Sequence, residues 1–378
     1  MIGVVLVAFG GPFAFAIFLT YLIRMISVRI GFVDRPGGHK QHCRPVALGG
    51  GIALFFSICG PILAGTVAAS FFLHSPPGWL PAFVLVHLPG IASKLGSILA
   101  IMGCVTVLHG MGLWDDIRPI GPGLKFIVEV ILALIIAGPL GIRAAEALPV
   151  PLSIALTVVW IVVITNAFNF LDNMDGLSAG VAAVAATIFG LAATNAGQVF
   201  VPIMAFVIVG ASLGFLCFNF APASVFMGDS GSLVLGFLLS VVTILTTYYD
   251  PARDLTPLGV LVPLLVLAVP LYDVASVVMH RLRLGVSPFK GDRRHFSHRL
   301  VRRGLSPRGA VLTIYLATAA TGLPAIVLPK LKDWGDSALL VIQGICVVVM
   351  VAILEHLTPG SRDSGRETGM DQDSKMGA

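Results

Sequence analysis

Four polar residues recur at every third position near the end of a long apolar stretch: Asn166, Asn169, Asp172 and Asp175. On a helix end that spacing keeps side chains roughly on one face, drifting slowly round it. Polar groups at the end of a membrane helix are costly unless they meet water, a cation or a ligand. Helix capping and a solvated turn would explain one or two of the four, but not all of them. Asp115 and Asp116 are adjacent and point in different directions, so one ion cannot engage both without local distortion. A capped, exposed turn is the simpler account of that pair taken alone. Asp229 lies in the polar turn Phe226-Met-Gly-Asp-Ser-Gly-Ser232, which leads into a helix whose backbone N–H groups can face an anion. His295 and His298 sit three apart in a basic loop, 281–308, and suit either a solvated surface or ligation of phosphate or metal.

Five carboxylates and two amides, with few acidic residues elsewhere, describe a site for a hard divalent cation. Oxygen-only ligands spread over several loops favour Mg²⁺, or Mn²⁺, over zinc. The basic loop, Lys125 and the basic stretch 35–44 supply the opposite sign. Acidic metal ligands beside Arg, Lys and His make a phosphate-handling site. Part of the basic loop also serves as a topology signal and a contact for anionic headgroups. No P-loop motif is present. The tetrapeptide Gly228-Asp-Ser-Gly231 resembles the nucleophile region of chymotrypsin-type proteases, but its flanks are apolar helices, with no barrel to hold a triad.

These residues are carried by a chain of 378 residues that is 57% apolar and 11% charged. Soluble domains carry about 25% charged residues. Disorder, a coiled coil and a disulfide-stapled module are excluded, as is a β-barrel, because the hydrophobicity is continuous rather than alternating. About 20 apolar residues cross a bilayer as a helix. Eleven segments qualify: 2–23, 49–73, 95–113, 125–140, 150–168, 176–194, 199–220, 230–249, 258–280, 309–328 and 337–357. The fourth and fifth are short and the seventh and eighth nearly touch, so ten is the alternative count. The fold expected is an all-α polytopic membrane helix bundle, one domain over 1–357 with a disordered cytoplasmic tail over 358–378.

The first segment is read as a retained helix, not a signal peptide. Loops after odd-numbered spans hold 19 of the 24 Lys and Arg residues. By the positive-inside rule those loops are cytoplasmic, the N-terminus is outside and the C-terminus inside. Every acidic and amide candidate falls on the same side. The five cysteines form no CxxC pair and are read as small apolar side chains. No internal repeat of the transporter kind stands out.

With the motifs in this order, the chain resembles the polyprenyl-phosphate N-acetylhexosamine-1-phosphate transferase superfamily, glycosyltransferase family 4. Gly112-Leu-Trp-Asp-Asp116 matches its paired-aspartate motif, and 166–177 matches N-x-x-N-x-x-D-x-x-D-G-L. Residues 225–232 match F-x-G-D-x-G-S, Asp292 to Leu300 match the histidine motif, and Val33-Asp-Arg-Pro36 with His42, Pro45, Gly49 and Gly50 resembles the first cytoplasmic loop. The resemblance implies transfer of a sugar 1-phosphate from a UDP-N-acetylhexosamine to undecaprenyl phosphate, releasing UMP, in a bacterial cytoplasmic membrane with the site facing the cytoplasm. It further implies that Asp229 and Asn169 hold Mg²⁺, with Asp172 beside them. Phe226 would stack on uracil and Asp175 would bond its edge, with Asn166 also binding substrate. Asp115, Asp116 and Lys125 would lie near the acceptor phosphate, and His295, His298 and Arg299 would contact phosphate or sugar.

His295-Phe-Ser-His-Arg-Leu300 looks more like the H-x-H-H-R-L of enzymes using UDP-N-acetylglucosamine to start O-antigen, enterobacterial common antigen or teichoic acid. The alternative, a phospho-N-acetylmuramoyl-pentapeptide transferase, typically carries three consecutive histidines followed by Phe-Glu, which this chain lacks. Ser297 and His39 depart from the pattern and bear on sugar preference. A non-enzymatic transporter is the alternative from another class; it would place ionisable residues near mid-span, where this chain has little beyond Glu129 and Asp273. The partners implied are the nucleotide sugar, the lipid phosphate and the bilayer, without nucleic acid; oligomeric state is open, a homodimer included.

Overall fold

The computed structural model describes residues 2–35, 45–78, 80–248, 257–283, 285 and 295–356. The expected tail, the loop residues 36–44 with His39, and Asp292 lie outside the described residues. All eleven expected segments are helical. They are α1 (Ile2–Ile30), α2 (Gly50–Phe72), α5 (Leu95–Ile117), α6 (Pro122–Ala137), α7 (Val150–Leu171), α8 (Leu177–Asn195), α9 (Phe200–Asn219), α10 (Asp229–Leu245), the pair α11 (Val262–Val266) and α12 (Ala268–Arg283), α14 (Pro307–Gly322) and α15 (Trp334–His356). Three short helices were not expected: α3 (Ala82–Leu85), α4 (Leu88–Ala92) and α13 (Phe296–Arg302).

Among the described residues, eight helices are long and apolar enough to cross a membrane, or nine if the bent α11–α12 pair counts as one span. The count of eleven therefore divides: α6 and α10, at 16 and 17 residues, fall short of that length. A helix rises about 1.5 Å per residue, so each covers roughly 25 Å. α10 needs no more, because it is packed among α2, α5, α7, α8 and α9 and nearly every residue from Ser230 to Thr243 is buried. A helix apolar all round belongs inside a bundle. The ninth segment bends by 64° between Val266 and Ala268. Pro270 causes this: it lacks the N–H that would bond the carbonyl four residues back and its ring clashes with that carbonyl.

The rim of the bundle is apolar and outward-facing, with Leu6, Val7 and Phe18 on α1 and Leu339, Ile342 and Val349 on α15 exposed. Such a surface is stable against lipid, where helices satisfy their own backbone. One end of the bundle gathers the site. A two-residue ribbon, β1 (Val33–Asp34) paired antiparallel with β2 (Val46–Ala47), caps this end and bridges to Val225. The ends of α1, α5, α7 and α9 and the starts of α2, α8 and α10 meet there through the bonds Ser27 Oγ to Leu48 O, Gly50 N to Phe226 O and Gly176 N to Asn219 Oδ1.

Glycine allows that convergence. A Cβ at Gly112 on α5 would lie 2.6 Å from the backbone of Asp229, and one at Gly51 on α2 would lie 2.4 Å from the Gly231 nitrogen. Backbone cannot step aside as a side chain can. Gly112→Ala is therefore expected to push the Asp229 turn away from α5, lowering turnover at least about 10-fold and stability by roughly 1–3 kcal/mol, the usual cost of overpacking. Thermal unfolding and activity of the purified variant check this; wild-type values in both would contradict it.

Candidate active site

The α10 turn is the centre. Gly228, at φ 70°, holds a left-handed conformation that disfavours any side chain, and a Cβ there would meet the Asp116 carboxylate at 2.6 Å. Asp116 accepts the Asp229 N–H through Oδ1 at 2.9 Å and the Ser230 N–H through Oδ2 at 3.2 Å. It thus caps α10 from a neighbouring helix, a favourable place for a carboxylate. Asp115, one residue earlier, points elsewhere: its Oδ1 accepts the Ile120 N–H at 2.6 Å and its Oδ2 pairs with Lys125 at 2.6 Å. The Lys125 ammonium also reaches Asp229 Oδ2 at 2.6 Å, bridging two carboxylates. The three side chains are 16–25% exposed, so the bridge is accessible from the open end.

Asn169 donates to Asp229 Oδ1 at 2.9 Å and to Ser232 Oγ at 3.0 Å. Asn166, one turn back, donates to the buried Glu129 and to Val162 O. Asp172 closes α7 and is half-buried. Burial, then the nearby Asp229 and Asp116 charges, hold its carboxyl well above the usual carboxylate range. Asp175 is bonded on the far side of the turn, its Oδ2 accepting the Ala223 N–H at 2.9 Å and fixing the loop before Phe226. The Phe226 backbone is pinned to Ala47 O and Gly50 N.

The structure brings Asp115, Asp116, Lys125, Asn169, Asp172 and Asp229 together, with Asn166 beside them. His295 approaches along another route. Its ring lies edge-on to Phe170, 5.6 Å between centroids, while Arg281 sits 5.5 Å from the Phe170 centroid. Asp273 on α12 accepts from His295 Nδ1 at 3.0 Å and from the Phe296 N–H at 2.8 Å. Arg299 donates to Ser276 Oγ at 2.7 Å. Ser297 donates to Asn173 Oδ1 at 2.6 Å, which latches α13 onto the turn between α7 and α8. His298 is half-buried on the same short helix.

Two supports escaped the sequence reading. His109, buried on α5, stacks on Phe55 at 4.3 Å and bonds Ser230 O at 2.9 Å, tying α2, α5 and α10 together. Asn219 bonds Gly176 N and Val225 O, joining the two loops that carry Asp175 and Phe226. A His or Asn within an apolar run was the signal available in each case. Glu129 and Asp273, the main acidic residues within the apolar spans outside the motifs, bond the site residues Asn166 and His295.

Among the described residues no three Asp, Glu, His or Cys side chains converge on a point that could hold a metal ion. The donor set still fits Mg²⁺, which typically takes one or two carboxylates and completes its shell with water and substrate phosphate. Asp229 supplies carboxylate oxygens, the Asn169 amide lies against it and donates to Oδ1, and Asp172 beside them is raised by burial and then by the Asp229 and Asp116 charges. The sign for stability follows: a carboxyl raised on folding binds its proton more tightly in the native state, so metal-free stability falls as pH climbs above about 4, the unfolded value. In EDTA, Asp172→Asn is expected to flatten this decline and to raise the unfolding temperature at pH 7. A lower unfolding temperature in that variant would contradict the assignment.

The fold is that of a polytopic membrane helix bundle with acidic, amide and lysine side chains gathered at one end. The family model for glycosyl transferase family 4 matches residues 98–247, which hold Asp115, Asp116, Lys125, the 166–175 stretch and the Asp229 turn, and stop short of His295. The chain is 30% identical over 341 residues to a probable undecaprenyl-phosphate N-acetylglucosaminyl 1-phosphate transferase of Bacillus subtilis, covering 87% of this chain and 86% of the relative. It is 34% identical over 326 residues to a decaprenyl-phosphate N-acetylglucosaminephosphotransferase of Mycobacterium tuberculosis, covering 79% and 76%. It is 29% identical over 320 residues to an undecaprenyl-phosphate alpha-N-acetylglucosaminyl 1-phosphate transferase of Salmonella typhi, covering 81% and 79%. The chain belongs to the polyprenyl-phosphate N-acetylhexosamine-1-phosphate transferase family and is a phosphoglycosyl transferase.

Proposed function

We propose that the protein transfers N-acetylglucosamine 1-phosphate from UDP-N-acetylglucosamine to undecaprenyl phosphate, releasing UMP and starting a lipid-linked envelope glycan. The observation that carries this reading is the Lys125 bridge between Asp115 and Asp229, set against the Asn169–Asp229 pair on a turn capped by Asp116. The site faces the cytoplasm of a bacterial inner membrane, because in the sequence the segments after odd-numbered spans, which carry the site residues, hold 19 of the 24 Lys and Arg residues.

In the reaction an oxygen of the lipid phosphate bonds the β-phosphorus of the donor, and the bridging oxygen leaves with UMP. Two anions must meet, so most of the catalytic work is electrostatic. A phosphate monoester has its second pKa near ~6 and is largely a dianion at neutral pH, so no strong base is needed. Asp229 and Asn169 would hold Mg²⁺, which when bound supplies positive charge against the pyrophosphate. Lys125 meets the acceptor phosphate, held in place by Asp115. Asp116 keeps the α10 turn in register, and Asp172 sits beside the Asp229–Asn169 pair. Asp175 and Phe226 take the uracil, with Asn166 shaping the floor. His295, His298 and Arg299 receive phosphate or sugar.

Purified protein given UDP-N-acetylglucosamine, undecaprenyl phosphate and Mg²⁺ is expected to release UMP, and EDTA to stop it. Release with another UDP-sugar alone would correct the sugar. Silence with every donor, from folded protein, would sink the reading.

A further inference from the structure

Asp273 and His295 are 22 residues apart in sequence, buried, and joined by a geometry with a chemical consequence. The Asp273 carboxylate accepts twice, from the Phe296 backbone N–H at Oδ1 and from the His295 ring at Oδ2. A backbone amide can donate and cannot accept, so Oδ1 is committed. An ionised carboxylate accepts and cannot donate, so the ring nitrogen facing Oδ2 must carry a hydrogen. That nitrogen is Nδ1. The ring is steadied by Phe170, which is flanked by Arg281. Nε2, the far nitrogen, makes no hydrogen bond among the described residues.

We propose that Asp273 is a positioning residue for the transfer reaction: it fixes His295 as the Nδ1–H form and so presents Nε2 to the phosphate or sugar of the nucleotide substrate. This rests on the functional reading above, which makes His295 a substrate contact. In neutral imidazole Nε2 is then an acceptor, suited to a sugar hydroxyl. On protonation Nε2 becomes a donor, suited to phosphate, while the Asp273 bond persists. Either way the ring nitrogen offered to the site is set from helix α12, a full loop away from α13.

Asp273→Asn separates this role from folding. The Phe296 N–H still requires an oxygen, so the amide must orient with its oxygen there and its NH₂ toward His295. That NH₂ donates, and Nδ1 must now accept. The number of hydrogen bonds is kept while the hydrogen moves to Nε2, the wrong-tautomer effect known from triad aspartate variants.

The test uses the full chain in detergent with ¹⁵N-labelled histidine, His295 being assigned by loss of its signal in His295→Gln. Expected in wild type is a hydrogen on Nδ1; expected in Asp273→Asn is an uncharged ring with the hydrogen on Nε2. With unfolding temperature little changed, kcat for UMP release should fall about 10- to 100-fold, the usual effect of losing a carboxylate behind a functional histidine. Its pH–rate profile should also change shape. A wild-type ring with hydrogen on Nε2 alone would overturn the proposal even if the variant failed to fold. Wild-type kcat in a folded, tautomer-switched Asp273→Asn would overturn it too. Full activity in His295→Gln, with Asp229→Ala inactive, would overturn the role of His295 while leaving the transferase reading intact.

Discussion

Asp229→Ala is expected to lower turnover by two to three orders of magnitude while leaving the fold intact. The carboxylate accepts from both Asn169 and Lys125, so its removal deprives the ammonium and the amide of their shared anchor. Losing one preorganised electrostatic group of this kind costs about 10²- to 10³-fold, or roughly 3–4 kcal/mol. The fold survives because Asp116 bonds the backbone N–H of residue 229, which alanine retains. The check is kcat at saturating substrates with Mg²⁺ titrated, beside thermal unfolding. The variant should also fail to recover at high Mg²⁺. Loss of folding in place of loss of rate, or recovery by added metal to the wild-type rate, would contradict the role given to Asp229.

Lys125→Met should produce a loss of similar size by the opposite route. Removing the ammonium leaves Asp115 and Asp229 unneutralised near each other, with Asp172 already raised by burial and then by neighbouring charge. The acceptor phosphate would then approach an uncompensated negative site. A fall of about 100-fold or more in kcat/KM for the lipid acceptor is expected, exceeding any change in KM for the nucleotide. Lys125→Arg should recover little, because the larger planar guanidinium does not fit where a single compact ammonium sits 2.6 Å from both Asp115 and Asp229. Equal losses toward donor and acceptor would contradict the placement of Lys125 at the acceptor.

Much of this was legible in the chain. Continuous hydrophobicity marked all eleven helices, and the three-residue recurrence of Asn166, Asn169 and Asp172 predicted a shared face, of which Asn169 and Asp172 lie beside Asp229 while Asn166 turns to Glu129. What escaped was set by contacts distant in sequence. The α11–α12 bend depends on how Pro270 is supported, and a proline in an apolar run is equally compatible with a straight span. The two-residue ribbon and its bridge to Val225 carry no periodic signal. Asp175 shares the spacing of its neighbours, yet it turns to the Ala223 amide because the helix has ended at Leu171 and the face no longer continues. Asp273 was visible as an ionisable residue within a span, but its partner His295 is brought to it only by the return of the chain as α13. Ser297, a departure from the family pattern, has a definite partner in Asn173 that no motif could specify.

The most direct measurement follows the phosphorus. UDP-N-acetylglucosamine labelled with ³²P at the β-position would be incubated with the protein, undecaprenyl phosphate and Mg²⁺, and the products divided between organic and aqueous phases. The transfer described here carries the label into the lipid together with the sugar and leaves unlabelled UMP in water. Label remaining in water as UDP, with sugar alone on the lipid, would mean that the sugar–phosphate bond breaks instead, and would contradict the chemistry assigned to this site.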